Sequence, residues 1–124
     1  MADHRLKPIT PLGHETPHSV TLGPVTITEV TDTALASLAT RHGEAKAVAD
    51  IADSAGIPLP GPGKAAQGAT YAAFWLSPDM WMVEAPFATH ELIADLLKTA
   101  LSDAASITEQ TDAWVIFDLA APDL

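Results

Sequence analysis

The sequence predicts an α+β domain in which two helices cover a mainly antiparallel sheet, and three observations carry that expectation. Short runs rich in β-branched and aromatic residues recur at 25–30, 71–76, 81–85 and 110–119. Two segments, 44–55 and 87–103, place apolar residues at helical spacing. The runs flanking Ser77-Pro78-Asp79 are close enough to close a hairpin. With 124 residues and 48% hydrophobic composition, the chain is long enough to bury one sizeable core. The expected organisation is a flexible N-terminal arm over 1–20 and a single domain over 21–124.

The arm is polar and proline-rich, and it has no apolar run of the kind a signal peptide carries. In VTLGPVTITEV, Gly23-Pro24 interrupts the β-branched pattern and leaves 25–30 as the clear strand, and Thr31-Asp32 makes a turn. TALASLATRH, over 33–42, fits two descriptions: its composition slightly favours helix, yet Leu35 and Leu38 define no helical face and a second strand is compatible. Over 44–55, Val48, Ile51, Ala52 and Ala55 share a helical face, and Gly56 stands where a left-handed stop residue belongs. The stretch 57–68 has three prolines and three glycines and is irregular. Its Gly61-Pro62-Gly63-Lys64 is not a phosphate loop, because Ala65 follows the lysine where Ser or Thr is required.

The runs at 71–76 and 81–85 form the hairpin, with Pro78 at the second turn position. Over 87–103, Leu92, Ile93, Leu96, Leu97, Ala100 and Leu101 make one stripe, with Thr89 as the expected cap. In the last strand Thr111, Ala113, Val115, Phe117 and Leu119 fall on one face. Ala120-Ala121-Pro122-Asp123-Leu124 reads as a helix start.

Six basic residues against sixteen acidic ones give a formal net charge of −10, so there is no basic stripe for nucleic acid or an anionic membrane. The absence of cysteine excludes disulfides, thiolate catalysis and Cys-based metal sites, and suits a reducing cytoplasm. The histidines at 4, 14, 18, 42 and 90 show no metal-ligand spacing. No nucleophile elbow or dinucleotide motif occurs, and no catalytic or cofactor-binding residue is assigned. Asp79, Asp112 and Asp118 are the acids nearest apolar strands; each is read more simply as a turn or strand-end acid than as a general base. Trp75, Trp81 and Trp114 lie in expected strands, where core is the simplest reading and an exposed partner surface or a ligand platform are the alternatives.

Three segments in order, LATRHGEAKAVADIADSAGIPLPGPG from Leu38, AFWLSPDMWMVEAP from Ala73 and ITEQTDAWVIFDLAAPDL from Ile107, resemble the gamma subunit of heterotetrameric sarcosine oxidase. The resemblance covers roughly 25–124, its N-terminal part, and favours strand over helix at 33–42. It implies a chain shaped like half of the folate-binding domain of the aminomethyltransferases. It also implies a non-catalytic role, supporting a complex that oxidatively demethylates sarcosine to glycine. The one-carbon unit would go to tetrahydrofolate or be released as formaldehyde, placing the complex in one-carbon metabolism and sarcosine catabolism. FAD, FMN, NAD and zinc would be held by its alpha, beta and delta subunits.

Two departures accompany the likeness. The family pattern continues beyond the segment ending at Leu124, so an apolar face is expected to lie bare, and Trp114 stands where relatives often carry Arg. The readings kept beside it are a free-standing folate-binding or aminomethyl-transferring domain, with Asp112 or Asp118 in an apolar cleft, and a gamma-type subunit for another N-methyl amino acid.

Overall fold

A computed structural model describes residues 6–124; the part of the expected arm before Leu6, including His4, lies outside the described residues. In chain order the elements are β1 Ser19–Leu22, β2 Val25–Val30, β3 Thr33–Thr40, α1 Ala45–Ala55, β4 Ala65–Gln67, β5 Ala72–Ser77, β6 Met80–Pro86, α2 Phe87–His90, α3 Ile93–Leu101, a 3-10 turn Ser102–Ala104, β7 Ala105–Glu109 and β8 Ile116–Ala120. The mixed composition agrees with expectation, but the strands form two antiparallel sheets where one was expected. Contacts accordingly divide the described chain into 6–31 with Asp112–Leu124, and Asp32–Thr111, which cuts across the expected 1–20 and 21–124.

The larger unit holds the five-stranded sheet β4-β5-β6-β3-β7. The interior strand β3 is buried on both faces, Ala34 and Leu35 through Leu38, which explains why TALASLAT shows no period-2 alternation. A strand flanked on both sides and covered on both faces reads as a plain apolar run, the pattern a buried helix also gives. Ala36, Leu38, Val83, Ala73 and Ile107 project to one side of the sheet, where Val48 and Ala52 of α1 and Ile93, Ala94, Leu97 and Leu101 of α3 complete the core.

Helix α1 ends as expected. Gly56 has φ 72°, and its N–H turns back onto the Ala52 and Asp53 carbonyls, a conformation only glycine adopts without strain. The hairpin β5–β6 pairs Trp75 with Trp81, and Asp79 takes the left-handed turn position at φ 60°. Its carbonyl also accepts the Thr40 N–H at 2.9 Å, tying the turn to the end of β3.

The helix expected over 87–103 is broken. Glu91 and Leu92 form a turn between α2 and α3, and the interruption resets the helical phase. Ile93, Ala94, Leu97 and Leu101 then face the core, while Leu92 and Leu96 are 64% and 46% exposed. Thr89 does not cap α3; its hydroxyl lies 2.8 Å from His90 Nδ1. The cap comes from Glu109, whose carboxylate accepts the Ala94 N–H at 3.3 Å, a placement the helix dipole also favours.

The single strand expected over 110–119 is strand only from Ile116 onward, in β8; β7 has already ended at Glu109. Thr111 ties down the chain just past β7: its hydroxyl accepts the Leu35 N–H at 3.0 Å and gives its one proton to the Glu109 carboxylate. A turn at 111–113 follows, and Trp114 and Val115 lead into β8 outside any strand. After Ala120, where β8 ends, the chain turns at 122–123 and no helix begins.

The smaller unit is the three-stranded sheet β1-β2-β8. Pairing of Val20 with Ile27, Leu22 with Val25, Ile27 with Leu119 and Glu29 with Phe117 puts six apolar residues and one acid on one face. Ser19, Thr21, Thr26, Thr28 and Asp118 take the other, with hydroxyl pairs Ser19–Thr28 and Thr21–Thr26 at 3.0 and 3.3 Å.

Candidate functional site

The acid on that apolar face organises its surroundings. Glu29 is only 3% exposed, and its carboxylate accepts the Thr10 hydroxyl at 2.8 Å, the Leu12 N–H at 3.0 Å and the His18 N–H at 3.0 Å. Burial alone would raise its pKa, but these three donors and the nearby His14 charge outweigh it and hold the carboxyl below its usual value. Residues 10–18 therefore form a strap across one end of the sheet, with Thr10 and His14 closing a turn by backbone bonds and His14 stacked on His18 at 4.5 Å. Over these residues the arm expected to be flexible is tied down. Sequence inspection did not single out Glu29; the available signal was the alternation Val25, Ile27, Glu29, which places a carboxylate in an apolar row where it must find donors.

Beyond the strap the apolar face is open. Leu22 is 62% exposed, Phe117 42% and Leu119 57%, and Trp114 and Val115 extend the exposed apolar surface toward β8. Of the tryptophans read as a candidate partner surface, Trp114 is in this region. Trp75 and Trp81 lie half-buried on the hairpin, and Trp81 Nε1 donates to the Pro60 carbonyl at 2.8 Å, pinning the proline-rich loop.

The acids considered as bases are not brought together. Asp79 is in the hairpin turn, Asp112 in the turn after β7 and Asp118 on the hydroxyl-bearing face of β8, all exposed to solvent. The larger unit has a shallow groove of about 290 Å³ lined in part by Asp32, Thr33, Gln67, Thr70 and Glu84, with no histidine or lysine at its wall. Among the described residues no three or more His, Asp or Glu side chains converge in a way that would hold a metal ion.

The motif TEQT, at 108–111, has a structural task. Besides the Glu109 and Thr111 contacts, the Gln110 N–H donates to the Leu35 carbonyl at 2.9 Å and its side-chain amide to Ser37 Oγ at 3.3 Å, stitching the end of β7 to β3. Arg41, at the far end of β3, bonds Ser106 Oγ and the Asp103 carbonyl from the same side. Glu109→Ala removes the helix cap and a partner of Thr111, and is expected to cost about 1–2 kcal/mol in denaturant unfolding. A loss under about 0.3 kcal/mol would show that the cap contributes nothing.

Neither a protein-family model nor a curated protein sequence matches the chain. Among solved structures it is similar to a chain of heterotetrameric sarcosine oxidase from Corynebacterium sp. U-96, determined in complex with pyrrole 2-carboxylate, with a TM-score of 0.65 at 24% identity. The match covers 84% of this chain and 54% of the other, so this chain spans about half the length of the solved one. The class defined is a mixed fold of two antiparallel sheets and a few short helices, shared with a sarcosine oxidase chain.

Proposed function

We propose that this chain is a non-catalytic, gamma-type subunit that supports assembly of a sarcosine-oxidising flavoprotein complex. The observation that carries the reading is the common fold, extending over most of this chain, with a chain of heterotetrameric sarcosine oxidase. The three sequence segments beginning at Leu38, Ala73 and Ile107 support the gamma assignment. They lie on structural parts: α1 and its glycine stop, the β5–β6 hairpin, and the TEQT stitch with β8. The open apolar face of the smaller unit supports a working state in which other subunits are present.

In this reading the alpha, beta and delta partners carry FAD, FMN, NAD and zinc, tetrahydrofolate receives the one-carbon unit in the complex, and the site of action is the cytoplasm. No helix among the described residues is long and apolar enough to cross a membrane. The likeness to half of an aminomethyltransferase-type folate domain then concerns shape, with folate held elsewhere in the complex. Calorimetric titration of the purified chain with tetrahydrofolate separates this from a free-standing folate-binding domain. No saturable heat is expected up to about 1 mM, whereas micromolar binding would reverse the assignment.

A further inference from the structure

Strand β8 ends its sheet, and the hydrogen-bond pattern shows which of its backbone groups face outward. Glu29 N–H donates to the His18 carbonyl on the β1 side at 2.9 Å. Alternation along β2 then directs Thr26, Thr28 and Val30 toward β8. Their partners Ala120, Asp118 and Ile116 are spent on that ladder, which runs without a register shift. The outward backbone groups are consequently those of Phe117 and Leu119, whose side chains also form the exposed rim of the apolar face. Asp118, between them, projects from the opposite face and is exposed. An open edge bordered by bare apolar surface invites strand addition, and β8 has no proline or lysine to discourage it.

A second copy fits this edge poorly. The antiparallel register that uses both Phe117 and Leu119 on each chain centres on Asp118, setting one carboxylate directly opposite its twin in the closer type of cross-strand pair. Each copy also brings a formal charge of −10. A strand that carries a basic residue between two apolar ones turns the same geometry into an attraction. Its apolar side chains would extend the face formed by Ile27, Phe117 and Leu119, and its Lys or Arg would meet Asp118.

We propose that the β8 edge takes an extended segment of a different protein with an apolar-basic-apolar pattern, adding it as a fourth strand to the smaller sheet. This gives the chemistry of the partner contact within the subunit reading and rests on that reading for its biological setting, though not for its test.

The test is titration of the isotope-labelled full chain, followed by amide shifts, with a capped peptide of about seven residues alternating valine and lysine, and with a valine–glutamate counterpart. Saturable shifts centred on 116–120 are expected, with the lysine peptide binding at least about tenfold more tightly. Leu119→Pro deletes an outward N–H and leaves the ladder to β2 whole, so binding should fall about tenfold in a chain that still folds. Asp118→Lys should reverse the preference between the peptides, and it supplies the readout if Leu119→Pro fails to fold. Absence of saturable binding, equal affinity for both peptides, shifts outside the smaller sheet, or self-association mapped to the same amides would each overturn the proposal. Separately, if wild type and Leu119→Pro co-purify equally with a flavoprotein, the edge is not the contact although the subunit reading stands. If wild type brings down none, that reading fails whatever the peptides do.

Discussion

Leu97→Ala should be the most damaging single truncation among the helix residues, costing about 2–5 kcal/mol. Leu97 is 1% exposed and sits in α3 between Ile93 and Leu101, against the side of the sheet formed by Leu38, Val83 and Ile107. Removing its isobutyl group loses the transfer free energy of the buried carbons. The space left is then bounded by α1 and by strands fixed in a ladder, which cannot close over it fully. A domain of this size has only about 5–15 kcal/mol of stability in all, so a large part of the margin disappears. Denaturant unfolding followed by tryptophan emission reads this directly, since Trp75 and Trp81 lie in the same unit. A change below about 1 kcal/mol would mean that α3 does not bury this residue. Leu96→Ala, on the exposed side, is the matched control and is expected to stay within about 0.5 kcal/mol.

The second large effect is expected at Glu29. Glu29→Gln keeps the shape but puts an amide that is itself a donor before the Thr10 hydroxyl and the Leu12 and His18 N–H groups, and it removes the charge that made those bonds strong. The strap over 10–18 should detach, seen as loss of hydrogen-exchange protection at Leu12 and His18 while β3 and β6 stay protected. Acid should do the same to the wild type. Because the folded-state pKa of Glu29 is depressed, the unfolded chain binds the proton first as pH falls. The contribution is complete above the ordinary glutamate value of about 4.3, shrinks below it, and is gone once pH passes through the folded value. Unchanged protection in Glu29→Gln at neutral pH would show that the strap is held by something else.

What the sequence made legible follows from how local the signal is. The α1 stop at Gly56 and the hairpin at Ser77-Pro78-Asp79 depend on a few adjacent residues, and both are found where expected. The interior strand β3 was ambiguous because burial on both faces erases alternation. The breaks at 91–92 and 111–113 were hidden because their causes are remote: Glu109 caps a helix 15 residues earlier, and Thr111 bonds a strand 76 residues away. The apolar row over 110–119 was read as one face of one strand, although only its second half is strand and 110–115 form the turn and connection between two sheets. The Glu29 strap lies between these cases. The odd acid was visible in VTITEV, but its donors sit 11 to 19 residues upstream in a stretch with no periodicity.

For the candidate surface, the sequence made Trp114 conspicuous, and only the sheet register shows that Phe117, Leu119, Val20 and Leu22 share one apolar face. Trp75 and Trp81 look the same in sequence yet differ physically from Trp114, being register partners across a hairpin whose Trp81 packs against the core.

The central claim, that this chain works as a subunit of a flavoprotein oxidase, is tested most directly by purifying the tagged chain from its native cell and recording the visible spectrum of the eluate. The account predicts co-purifying chains, flavin absorbance between about 350 and 500 nm, and hydrogen peroxide production on addition of sarcosine. A colourless eluate containing this chain alone, folded and monomeric, would contradict it.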